Sequence, residues 1–156
     1  MNETTATFEE LLERDGRLVY TNRGVSMMPL LRQGRDLMII EKKGPQRCKN
    51  LEAVLFRRPG PEGAYVLHRI LKVNEDGTYW IVGDNCISGE TVAEGQILGI
   101  LTGVIRDTKP LNFSSLPYRL YVNTWCRWYP VRFFLLRLRG YLGACKRKLL
   151  SIIQGS

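Results

Sequence analysis

Ser26 and His68 are the two residues of this chain whose types and settings suit covalent chemistry. Ser26 lies in Gly24-Val25-Ser26-Met27-Met28-Pro29, and His68, the only histidine, lies in Val66-Leu67-His68-Arg69-Ile70. A serine hydroxyl is a weak nucleophile near neutral pH, so covalent catalysis by it needs a positioned base to take its proton. His68 is the natural candidate. Taken singly, each residue has a plainer reading: Ser26 as a turn serine before a proline, His68 as a structural residue in an alternating strand. Only their conjunction points to a nucleophile and its base.

The elements that must position them are short. Residues 37–40, 53–56, 65–73, 79–82 and 97–105 read as strands, with turn chemistry at 58–63 and 74–77. This series predicts a mainly β, partly barrel-like domain in place of an alternating α/β layout. Ahead of it, Phe8, Leu11 and Leu12 share one helical face after a threonine. A short amphipathic helix is therefore expected over residues 5–14, ended near Asp15-Gly16. Pro117 and Pro130 stand where each suits the first turn of a helix. Beyond Pro130, Val131, Phe134, Leu135, Leu138, Leu142, Cys145, Leu149 and Ile152 recur at helical spacing, with Arg132, Arg139 and Lys146 on another face. That pattern predicts an amphipathic basic helix, with Tyr118, Tyr121, Trp125, Trp128 and Tyr129 just upstream. The expected organisation is a catalytic domain over residues 1–110 and a basic, aromatic-rich helical extension over 111–156.

A chain of 156 residues, 44% hydrophobic, suits one compact domain with a real core. Its charge is uneven. Residues 1–107 hold all 15 acids and 14 of the 23 Lys and Arg, whereas residues 108–156 hold the other 9 basic residues and no acid. The net +8 is thus a property of the tail. It suggests an anionic partner, membrane or nucleic acid. The sequence has no apolar run of about 18 residues, so no transmembrane helix is expected. The acidic start lacks the apolar stretch of a secretory signal, which makes a cytoplasmic location, with peripheral membrane contact, the expectation. Cys48, Cys86, Cys126 and Cys145 are too widely spaced for a Cys-x-x-Cys pair, so free thiols are expected and neither metal nor cofactor.

Several blocks together carry a resemblance. Gly24 to Pro29, Gly34-Arg35-Asp36 leading into a strand, residues 53–56, Tyr65 to Ile70, Gly83-Asp84-Asn85 and Ile97-Leu98-Gly99 follow one another over residues 20–105. In order and approximate spacing they resemble the signal peptidase and LexA-type serine peptidases. Bacterial type I signal peptidases and LexA have a lysine at the base position. His68 there resembles the histidine variant of the endoplasmic-reticulum type. The resemblance implies Ser26 as nucleophile, His68 as general base and Asp84 as the acid that orients or electrostatically supports the histidine. Backbone N–H groups at Gly24 and Ser26 are the expected oxyanion support, since glycine lets the chain bend close to a substrate. Met27 and Met28 are expected as apolar wall or core, with a place in the substrate groove as the alternative. Two departures stand out. Gly24 occupies the position where some members carry a serine donor, and no membrane anchor precedes the Ser-Met pair. The C-terminal basic helix is then a stand-in at an anionic membrane surface, unless its apolar stripe packs on the β domain.

The expected function is a serine endopeptidase cutting a peptide or protein through an acyl-enzyme, with leader or signal peptides as the substrate class. Two alternatives remain. A LexA-like self-cleaving regulator needs a helix-turn-helix domain and an Ala-Gly or Cys-Gly site, and residues 1–23 are too few for the domain while neither dipeptide occurs. A non-enzymatic module using the basic tail on lipid or, less favoured, nucleic acid would show steep salt dependence.

Overall fold

A capping box at Thr7 and Glu10 starts the first helix, α1 (Phe8–Asp15), in a computed structural model that describes residues 6–60 and 63–154. Thr7 Oγ1 accepts from the Glu10 amide, and the Glu10 carboxylate accepts from the Thr7 amide. Two N–H groups that a helix start leaves unpaired are satisfied in this way. Gly16, at φ 68°, ends the helix and donates its N–H to the Leu12 carbonyl. The helix thus begins later than expected, and Thr5 lies outside the described residues, as do Pro61 and Glu62 of the turn expected at 58–63.

The strands are β1 (Arg17–Thr21), β2 (Asp36–Lys42), β3 (Ala53–Arg57), β4 (Tyr65–Val73), β5 (Tyr79–Val82), β6 (Gly89–Val92), β7 (Ile97–Arg106) and β8 (Lys109–Pro110). They form one antiparallel sheet in the order β1-β2-β7-β3-β4-β5-β6, with β8 paired to β7. The outer strands β1 and β6 do not pair with each other, so the protein is mainly β as expected but the sheet is open where a partial barrel was expected. β1 and β6 escaped the sequence pattern because edge strands are short and half-exposed, which weakens their alternation. β3 is the opposite case. Ala53 and Leu55 join a core cluster with Leu12, Met27, Leu30 and Leu31, while Val54 and Phe56 join a second with Ile70, Tyr79, Ile81 and Val92. A strand covered on both faces reads as a continuous apolar run.

Asp36, at the start of β2, is 1% exposed and accepts hydrogen bonds from the Arg35 and Arg106 guanidinium groups and the Arg32 amide. Burial opposes its ionisation, but these donors outweigh it and hold the carboxyl well below the usual range. Arg106 also donates to the Leu30 carbonyl, so this ion pair pins one end of the loop that carries Ser26.

After β8, Ser115 caps α2 (Leu116–Tyr121), a π-helical turn follows at Val122–Cys126, and α3 runs over Tyr129–Gln154. Pro117 and Pro130 both sit in a first helical turn, where a missing N–H costs nothing. α3 packs against the sheet through Tyr129 and Phe133, whose rings lie 5.3 and 6.2 Å from Trp80, and through buried Leu136. Its sequence-predicted apolar stripe is turned elsewhere. Val131, Phe134, Leu135, Leu138 and Leu142 are 42–65% exposed. Among the described residues no helix is long and apolar enough to cross a membrane.

Candidate active site

Ser26 lies in the loop between β1 and β2, and polar contacts hold that loop from both sides. Asn22 Nδ2 donates to the Gly24 carbonyl at 3.1 Å, and the Gly24 amide donates to Gln33 Oε1 at 2.8 Å. Gly24 has φ 85°, a conformation in which a Cβ is strained. From the other side, the Asn85 amide donates to the Ser26 carbonyl at 2.7 Å and Asn85 Nδ2 to the Val25 carbonyl at 3.2 Å. Met27 anchors the loop in the core at 1% exposure. The Gly24 N–H, one of the two expected oxyanion donors, is therefore already committed to Gln33.

His68 is brought to this loop by β4, where it sits opposite Val54 of β3. Gly83, just after β5, is where the pieces meet. A Cβ on Gly83 would stand 2.7 Å from the Ser26 carbonyl oxygen, 2.8 Å from Cys86 Sγ and 2.9 Å from His68 Nε2. No side chain fits at such distances, so only glycine allows the approach. Nε2 is thus the imidazole nitrogen on the Gly83 side of the ring, the side that the Ser26 carbonyl also borders. Nδ1 is buried without a hydrogen-bond partner, and Glu90 Oε1 lies 3.9 Å from it. A histidine that accepts a proton on Nε2 carries its own proton on Nδ1. Glu90 is thus the carboxylate facing that proton. Arg58 holds Glu90 in turn with two hydrogen bonds of 2.9 and 2.7 Å.

The expected partner of His68 is elsewhere. The side chain of Asp84 is 0% exposed and accepts from Arg69 Nε at 2.9 Å and Nη2 at 2.8 Å, from the Tyr121 hydroxyl at 2.5 Å and from Cys126 Sγ at 3.7 Å. Neighbouring strand residues point to opposite faces, so His68 and Arg69 cannot both meet one carboxylate, and Asp84 goes to Arg69. Orientation of His68 by an Asp84 hydrogen bond is accordingly replaced by a charge acting at a distance. Burial lowers the His68 pKa below 6.5 and Arg58 adds to that, while the charges of Glu90 and Asp84 raise it in part. The imidazole is neutral at pH 7, as a base must be.

Glu90→Gln is expected to lower the His68 pKa further, because it removes the largest charge acting to raise it. With one histidine in the chain, NMR titration of the imidazole reads this without assignment. An unchanged or higher value would show that Glu90 does not act on Nδ1.

Beside these groups is a cleft of about 570 Å³, lined among others by Asn22, Arg23, Ser26, Tyr65, Leu67 and His68. Neither Met27 nor Met28 lines it; Met38 and Leu55 supply the apolar wall instead. Phe8 of α1 lines it too, with its ring 4.8 Å from that of Tyr20 and 4.7 Å from that of Tyr65. Two strand edges border the cleft. β1 ends the sheet, and β4 pairs with β3 over Tyr65–Arg69 but with β5 only from Arg69 onward, which leaves one edge of Tyr65–His68 unpaired. Glu90, Arg58 and Cys86 are residues around the site to which the sequence assigned no role there, and Asn85 was visible only as the last residue of Gly83-Asp84-Asn85. Arg69 adjoins His68 in sequence, so strand alternation alone could have sent it to the opposite face. Comparisons with family models, with curated proteins and with solved structures gave no match.

Proposed function

We propose that this chain is a serine endopeptidase of signal-peptidase type that cleaves an extended peptide through an acyl-enzyme. The observation that carries this reading is the approach of His68 Nε2 to the Ser26 loop across Gly83, beside a cleft with two unpaired strand edges. An extended peptide can add to such edges through main-chain hydrogen bonds, which brings a scissile carbonyl to the serine. Ser26 Oγ attacks that carbonyl as His68 Nε2 takes its proton. The imidazolium is stabilised by Glu90 at Nδ1 and, from farther off, by Asp84. His68 then returns the proton to the leaving amine, and water, deprotonated by the same base, releases the acyl group. With the Gly24 N–H committed, the Ser26 N–H is the remaining expected donor to the oxyanion. Leader or signal peptides are the substrate class this reading favours.

A cysteine nucleophile is the second reading, because Cys86 Sγ and His68 Nε2 lie 2.8 and 2.9 Å from the same point. Burial raises the Cys86 pKa, so this thiol too would need His68 to take its proton before it could attack.

The route is tested by incubating the protein with a peptide library and sequencing the new termini, with and without hydroxylamine. Hydroxylamine intercepts an acyl-enzyme, so peptide hydroxamates are expected at the same termini as the acids. A library left uncut, or cut at full rate by Ser26→Ala, would overturn the reading.

A further inference from the structure

We propose that the exposed face of α3 docks on an anionic lipid bilayer, lying in the headgroup region parallel to the surface. α3 has two faces with different fates. One is used for packing: Arg132 and Leu136 are 1% and 8% exposed, and Phe133 meets Trp80. The other carries Val131, Phe134, Leu135, Leu138 and Leu142, and Trp128 at 61% exposure continues it just before the helix. At 3.6 residues per turn this stripe is a single band roughly 120° wide. A continuous apolar band on the surface of a folded chain marks an interaction site.

The chemistry of the surroundings selects the occupant. Arg137 falls on one border of the band and Arg139 and Lys146 on the other, all exposed. No acidic residue follows Asp107. Nucleic acid would engage the cations and leave the apolar band in water. An apolar protein groove would cover the band and leave the cations without anions. An anionic bilayer takes both, with the band among the upper acyl chains and the arginines and lysine at the phosphates. The helix is not apolar enough to cross. Docking also has a direct connection to the cleft: Arg139 Nη2 donates to Asn85 Oδ1 at 3.2 Å, and Asn85 clamps the Ser26 loop. The inference stands apart from the peptidase reading, since binding is measured without substrate.

The test is co-sedimentation of the full chain with vesicles of phosphatidylcholine alone or mixed with phosphatidylglycerol, at low and high salt. Binding is expected to the mixed vesicles, weakened by salt. Phe134→Ser combined with Leu138→Ser is expected to lower that affinity at least about tenfold. Both side chains are exposed, so the thermal melt should not move. Arg137→Glu combined with Lys146→Glu should also weaken binding and flatten its salt dependence. Equal vesicle binding by the parent and the serine variant would overturn the proposal. So would a parent dimer in sedimentation that the serine variant dissolves while neither binds vesicles, which would make the band a contact between copies. Binding to an oligonucleotide but not to vesicles would likewise overturn it.

Discussion

Ser26→Ala and His68→Gln are each expected to lower kcat/KM by at least about 10³-fold on any peptide that the parent cuts. The serine variant loses the attacking oxygen; the histidine variant keeps much of the side-chain volume next to Phe56 but cannot take up a proton. Because the two act as one unit, the double variant should be scarcely worse than either single one. Cys86→Ala is the control and should retain activity within a few-fold. Activity surviving in Ser26→Ala and lost in Cys86→Ala would transfer the nucleophile to the thiol. The pH profile offers a second check. In the proposed mechanism His68 works as the neutral base, so kcat/KM should rise from acid pH with a midpoint below 6.5 and level off near neutrality. Glu90→Gln should shift that limb to lower pH. Stability follows the same residue. Between its folded pKa and 6.5 the unfolded chain binds a proton that the folded chain resists, so the protein loses stability as pH falls through that window.

What the sequence made legible depended on whether a residue acts locally or across the sheet. β4 and β5 have the limits expected from their apolar runs, because β-branched and aromatic residues end there in turn chemistry at 74–77. Ser26 and His68 were visible as types, and Gly83-Asp84-Asn85 as one block of the resemblance, yet the division of labour within that block was hidden. Gly83 gives the close approach, Asp84 enters the core and Asn85 clamps the serine loop, and each role depends on a partner many residues away. Glu90 left no sequence signal at all. It reaches His68 because β6 pairs with β5 in the register Ile81↔Glu90, and a one-residue slip would turn it to the other face. The α3 stripe was legible as a period, but a period does not reveal which of two apolar faces meets the sheet.

Arg69→Met is expected to cost about 3–5 kcal/mol of stability, because it strands a buried carboxylate. Arg69 is 1% exposed, binds Asp84 through two nitrogens and donates its third to the Leu51 carbonyl at 2.7 Å. Burial works against its charge, yet Asp84 raises its pKa well above the ordinary value. Asp84 also ties the C-terminal extension to the sheet. Burial and the Asp84 charge push the Cys126 thiol up to about 12 and lift the Tyr121 phenol well above its usual range, so both stay protonated as donors. Trp125 Nε1 donates to the Asp84 backbone carbonyl at 2.9 Å. Arg132 provides the contrast: its nearest nitrogen is 3.7 Å from Asp84 Oδ1 and its guanidinium makes no hydrogen bond. Arg132→Met should therefore cost much less than Arg69→Met, since Asp84 keeps its bonds from Arg69 and the buried Arg132 guanidinium loses no hydrogen bond. Urea unfolding followed by tryptophan fluorescence measures both variants. Asp84→Asn separates structure from catalysis. If Asp84 serves the fold, this variant loses stability, and the His68 imidazole of its folded fraction still titrates below 6.5. A fully stable Asp84→Asn protein without activity would instead return Asp84 to the catalytic group.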